Sequence, residues 1–180
     1  MNLNSWPVYL VLVTIIWYLS QQAGRLDRLH HRIDVTGASL DGHLGRRAGI
    51  VVELANSLMI DPVTAAVLTQ AAHDVLAVEP HDLILRLELE NELTRTLLAA
   101  LDDPVEAAQW RQDVPTAQLL DELAIACGRV NLSATFHSEA VNDCLNIRTQ
   151  TLVRVFRLAG FAPMPHILNL DSTIAPALAD

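Results

Sequence analysis

Residues 6–32 read WPVYLVLVTIIWYLSQQAGRLDRLHHR, an apolar run that passes without a break into a run carrying arginine and histidine. From Leu26 onward apolar residues recur at Leu29, Ile33, Leu40, Leu44, Val51, Leu54 and Leu58, steps that sum to the threes and fours of a helix face. The spacing predicts one long helix through both halves, ending near Ser57. Gly37, Gly42, Gly45 and Gly49 lie inside it, and each weakens a helix interior by about 1 kcal/mol relative to Ala. Small residues at such spacing let a neighbouring helix approach closely, so Gly42, Gly45 and Gly49 are read as helix-packing positions.

Three readings compete for the apolar half: a cleaved signal, a membrane span, or a core helix. A cleaved signal needs a positively charged start and small residues before the cut. Met1 to Gly24 carries no charged side chain, and Gln21 stands where a small residue belongs. A core helix needs a polar stripe facing water, and YLVLVTIIWYL offers none. Trp6 and Tyr9 at one end and Trp17 and Tyr18 at the other resemble interfacial anchors. Residues 1–24 are therefore read as an uncleaved, single-pass transmembrane anchor. Arg25, Arg28 and Arg32 follow it directly. By the positive-inside rule, the body then lies on the cytoplasmic side of the cell (inner) membrane, with Met1 outside.

The body is acidic: the net charge of -9 belongs wholly to the residues after Gly24. Phosphate neutralisation needs a basic face, so no nucleic-acid partner is expected. All 12 basic residues are Arg, which removes a P-loop lysine and a Schiff-base lysine together. Cys127 and Cys144, on one helix, would lie about 25 Å apart at 1.5 Å per residue. That is too far to bridge, and both are read as reduced, buried residues.

Further helices follow from caps and breaks. Asp61-Pro62 is an N-cap with proline at the first helical position, opening a helix to about Ala77. Pro80 breaks the chain, and Leu83 to Leu101 reads as the next helix. DDPVEAAQWRQDVP is a connector in which Pro104 opens a short helix and Pro115 closes the segment. The last long helix spans about Thr116 to Ala159, with the seam Leu120, Leu123, Cys127, Val130, Ala134, His137, Val141, Cys144. Gly160 suits a C-cap and Pro163 a stop. No stretch alternates with period two, so the chain reads as all-α, with an irregular tail over residues 163–180.

Candidate chemistry is sparse. His43, His73-Asp74 and Asp121 or Asp143 imitate the ligand pattern of helical metal-dependent phosphohydrolases, which is the alternative functional reading. His81-Asp82 repeats the two-letter signal in the same chain. No Glu has His three residues later, as an inward-facing di-metal carboxylate site requires. Glu88, Glu90 and Glu92 in LELENEL read as a solvated face. GHLGRRAG lacks dinucleotide spacing, and G-x-S-x-G and H-E-x-x-H are absent. His137, on the apolar seam, reads as a hydrogen-bonded core histidine. No catalytic, cofactor-binding or metal residue is assigned.

SLDGHLGRRAGIVVELA, residues 39–55, resembles the signature of LemA-like membrane proteins, in which such a helix follows an N-terminal span. Leu40, Asp41, Leu44, Arg46, Arg47, Ile50, Val51 and Leu54 carry the match. LENELTRTLLAAL is similar to the family's middle helix, and FHSEAVNDCLNIRTQTLVRVFRLAGFAP to its last. The resemblance implies an antiparallel bundle of long helices over residues 25–162, and no established activity. If the last helix returns antiparallel to the first, Arg148, Arg154 and Arg157 join Arg25, Arg28 and Arg32 as a membrane-surface collar. The expected function is a membrane-anchored, non-enzymatic helical module. Its expected partners are membrane lipids and either another protein or a second copy of itself.

Overall fold

A computed structural model describes residues 6–57, 59–79, 83–149, 169–171 and 173–178. All regular structure among them is helical: α1 (Trp6–Ala55), α2 (Pro62–Ala77), α3 (Leu83–Ala100), α4 (Pro104–Trp110) and α5 (Val114–Arg148), with a 3-10 turn at Pro176–Leu178. The chain is all-α, as the absence of period-two patterning requires.

The local signals act where they stand. Asp61 Oδ1 accepts from the backbone N–H of Val63 at 2.9 Å and of Thr64 at 3.1 Å, satisfying two donors that the first turn of α2 leaves open. Asp103 does the same for α4 through the Val105 N–H at 2.8 Å. Pro115 does not close the connector. It lies in the first turn of α5, behind Asp113, whose Oδ2 accepts from Thr116 N at 3.1 Å and Thr116 Oγ1 at 2.6 Å. A proline there loses no helical hydrogen bond, because that N–H has no intrahelical acceptor. The expected stretch of the last helix beyond residue 149 lies outside the described residues.

Two compact units divide the chain: Met1–Thr36 with His137–Ile167, and Gly37–Phe136 with Leu168–Asp180. In the first, Leu26 packs with Cys144 and Ile147, with Leu29 and Ile33 alongside. Arg32 meets Asp143 at 3.1 Å, and Thr36 Oγ1 lies 3.2 Å from His137 Nδ1. Contacts climb α1 as they descend α5, so the two segments of this unit run antiparallel.

The second unit holds the main core. Leu54, Val51 and Ala48 of α1 meet Leu68, Ala72 and Val75 of α2, Leu93 and Leu97 of α3, Trp110 of α4, and Leu120 and Leu123 of α5. Ala175 and Leu178 of the tail belong to the same cluster, so the described part of the tail is irregular in backbone yet packed into the core. Leu40, Leu44 and Val130 form a smaller cluster. Cys127 and Cys144 are free and buried.

No helix among the described residues is long and apolar enough to cross a membrane, which corrects the expected span. The run from Val8 to Leu19, apolar but for Thr14, gives about 18 Å of helix at 1.5 Å per residue, against about 30 Å of hydrocarbon. Ser20, Gln21 and Gln22 then end it. Residues 1–5 of the expected anchor lie outside the described residues.

Leu123 is 0% exposed and Ile125, two positions on, is 55% exposed. Leu123→Ala is expected to cost about 2–5 kcal/mol, seen as a lower urea midpoint at unchanged slope. Ile125→Ala should stay within about 0.5 kcal/mol of the parent.

Candidate functional site

Two features of this chain exceed what an ordinary helical core contains. The first is the N-terminal end of α1. Every large apolar side chain from Trp6 to Tyr18 is at least 38% exposed, and Trp6, Tyr9 and Trp17 exceed 60%. The Thr14 hydroxyl donates to Leu10 O at 2.8 Å, so the one polar side chain between Val8 and Leu19 is satisfied by its own helix. Such an extended apolar surface is rare on a protein facing only water.

Arg25 and Arg28 follow on α1, both exposed. Arg32 is exposed as well, but it is paired with Asp143. Arg148 ends α5 within the same unit. Burial pushes the Cys144 thiol up, and the positive charge of Arg148 offsets part of that rise. Arg154 and Arg157 lie outside the described residues, so of the expected collar only Arg25, Arg28, Arg32 and Arg148 are described. At Gly42, Gly45 and Gly49 an added Cβ would meet no atom within 4 Å. Each faces open space in this single chain.

The second feature is a charge ladder inside the second unit. Arg47 is 2% exposed and Glu90 0%, and Arg47 Nη2 donates to Glu90 Oε2 at 2.7 Å. Arg47 Nη1 donates to Thr94 Oγ1 at 3.2 Å. Arg86 Nε reaches the other carboxylate oxygen of Glu90 at 3.3 Å, and its Nη2 meets Asp41 at 3.0 Å. Burial pushes the Cys127 thiol up, and Arg47 offsets part of that rise. The expected solvated face of LELENEL is thus corrected: Glu88 and Glu92 are exposed, and Glu90 is a core residue.

The ladder ends on the tail. Asn91 Oδ1 accepts from Asp171 N at 2.8 Å, and Asn91 Nδ2 donates to Asn169 O at 3.3 Å. Thr94 Oγ1 lies 3.3 Å from Asp171 O, and Arg111 Nη2 donates to Ala177 O at 3.3 Å. Thr173 donates to Asp171 Oδ1 from both its N–H and its hydroxyl. Those bonds, with the charges of Arg95 and Arg47, hold the Asp171 carboxyl below the usual range.

The histidine readings separate. His137 is buried beside the Thr36 hydroxyl, and burial lowers its pKa from the ordinary 6.5. Asp74 accepts from Gln70 Nε2, Asp121 pairs with Arg111, and Asp143 pairs with Arg32. The described residues bring no three His, Cys, Asp or Glu side chains together to hold a metal ion, so His43, His73-Asp74 and these aspartates form no joint centre among them. His81-Asp82 lies outside the described residues.

Removing one partner of a buried pair strands the other. Glu90→Gln or Arg47→Met is expected to cost about 3–5 kcal/mol, and the double change Arg47→Met with Glu90→Leu far less than the sum, measured by chemical denaturation. The His137 ring is neutral in the fold, and on acidification the unfolded chain takes up its proton first. Its contribution is therefore complete above about pH 6.5 and is lost as the pH falls below that value, and His137→Gln should flatten that slope in urea titrations. Compared with family models, with curated proteins and with solved structures, the chain matches none.

Proposed function

We propose that this protein is a membrane-attached helical module. The apolar end of α1 inserts into a lipid bilayer, and the second unit presents surfaces to other proteins, with no catalysis involved. The observation that carries this reading is the exposure of every large apolar side chain from Trp6 to Tyr18. A protein groove would cover one stripe of such a helix, whereas lipid covers the whole circumference. The aromatic residues at both ends of the run suit the headgroup level. At about 18 Å of helix, the run reaches through roughly one leaflet.

Arg25 and Arg28 then stand at the headgroups, where each arginine contributes about 1 kcal/mol on an anionic surface. That favours the cytoplasmic leaflet of the cell membrane. The LemA-like resemblance of residues 39–55 supports the same assignment, since that family also joins a membrane segment to a helical body. For the interaction role, Ile125, Leu132 and Phe136 are 55%, 57% and 48% exposed. Spaced by seven and four, they share one face of α5, the kind of surface that takes up a partner helix.

Vesicle flotation tests the reading. The full chain should float with vesicles containing about a third anionic lipid, and Val13→Glu with Ile16→Glu should leave it at the bottom of the gradient. Arg25→Gln with Arg28→Gln should weaken binding roughly 30-fold at low salt, from about 1 kcal/mol per arginine. Flotation unaffected by both pairs of changes would overturn the proposal. Protease protection of the segment from one side or both measures the depth of insertion.

A further inference from the structure

The exposed face of α5 is symmetric about Ile125. Val114, Gln118 and Asp121 precede Ile125 by 11, 7 and 4 residues, and Arg129, Leu132 and Phe136 follow it by 4, 7 and 11. At 3.6 residues per turn all six stay within about 40° of Ile125 around the helix. Every one of them is exposed, Val114 at 67%.

A stripe with the same spacing in both directions meets itself when two such helices lie antiparallel across a two-fold axis at Ile125. Ile125 then faces Ile125 of the second copy, Val114 faces Phe136, Gln118 faces Leu132, and Asp121 faces Arg129. The charges select this alignment. Arg111 binds Asp121 through Oδ1 at 2.7 Å, and the Asp121 side chain is still 65% exposed, which leaves its second oxygen for another guanidinium. Arg129 is exposed and enters none of the ion pairs among the described residues. In a parallel pair, Asp121 would meet Asp121 and Arg129 would meet Arg129, and like charges so placed reject a partner. An antiparallel pair slipped by one heptad would press Asp121 against Phe136, covering a carboxylate without a partner.

We infer that the Val114–Phe136 face of α5 is the interface of an antiparallel homodimer with Ile125 on its two-fold axis. The inference rests on the reading of that face as one that takes up a partner helix, and it names the helix. Every residue it uses belongs to the second unit, and none to the apolar end of α1.

The test uses the full chain in nonionic micelles that outnumber the chains, with a short bismaleimide. Cys127 and Cys144 are buried, so the parent chain supplies the background. Ile125→Cys should cross-link to a dimer well above that background. Gln118→Cys and Leu132→Cys should each give background alone, because like positions lie about 21 Å apart along the paired helices, and a dimer when mixed. On the Ile125→Cys chain, Arg129→Asp sets Asp against Asp, and Asp121→Arg sets Arg against Arg. Each should lower the dimer roughly tenfold, and mixing the two chains should restore it, since both pairs are then of opposite charge. The Gln118→Cys and Leu132→Cys mixture keeps the test independent of the Arg111 pair that Asp121→Arg removes. No dimer from Ile125→Cys, a dimer from Gln118→Cys alone, or charge variants that mixing does not restore would each overturn the inference. So would capture of a different protein in cells with no second copy. The charge variants should still float with vesicles, so a lost dimer with flotation kept marks failure of this interface and not of the membrane reading.

Discussion

The pairing of Arg47 with Glu90 in the second unit is the constraint around which its core is arranged. Two charges removed from water need good partners, and these find them only if α1 and α3 are in register. Arg47 comes from α1, Glu90, Arg86 and Thr94 come from α3, and Thr94 reaches Asp171 of the tail. Slippage of α1 against α3 by one helical turn would leave a guanidinium and a carboxylate buried without partners. Hydrophobic packing of Leu, Val and Ala tolerates such slippage far better, because it is non-directional. The polar ladder thus sets register, and Leu93, Leu97, Leu120 and Leu123 belong to the apolar cluster around it.

Much of the helical layout was legible because it depends on local chemistry. Asp61-Pro62 and Asp103-Pro104 act at the positions where they stand, and the threefold and fourfold steps of α1 and α5 need no knowledge of neighbours. Pro115 was misread because proline marks either a stop or a first turn, and Asp113 two residues earlier decides which. Glu90 was misread by treating alternate residues as one face. On a helix, positions 88 and 92 lie about 40° apart while 90 lies about 200° from 88, so Glu90 shares its side with Leu93, Thr94 and Leu97. Arg47 likewise stands between Leu44 and Val51 on the buried stripe of α1. Two opposite charges on two apolar seams were the available signal of a buried pair.

The tail was not legible, because its anchoring has no period. Its polar contacts come from Asn91, Thr94 and Arg111, far away in sequence, and meet main-chain atoms that every residue carries. The short apolar run of α1 was overvalued for a related reason. Hydropathy and flanking aromatics suggest a complete crossing, whereas about 18 Å of helix falls short of about 30 Å of hydrocarbon. What identifies this end of α1 is exposure around its full circumference, a property of the folded chain.

The clamp on the tail grips carbonyls and one N–H, while the side chains of Leu170, packed against the Leu40, Leu44 and Val130 cluster, and of Asp171, bonded to Thr173, add contacts of their own. Two further substitutions are excluded by this geometry. Proline at 171 would delete the N–H that Asn91 Oδ1 accepts. A bulky residue at 175 would not fit a site that holds alanine at 3% exposure. The path of the tail is thus set jointly by an asparagine on α3 opposite its main chain and by the apolar side chains packed beneath it.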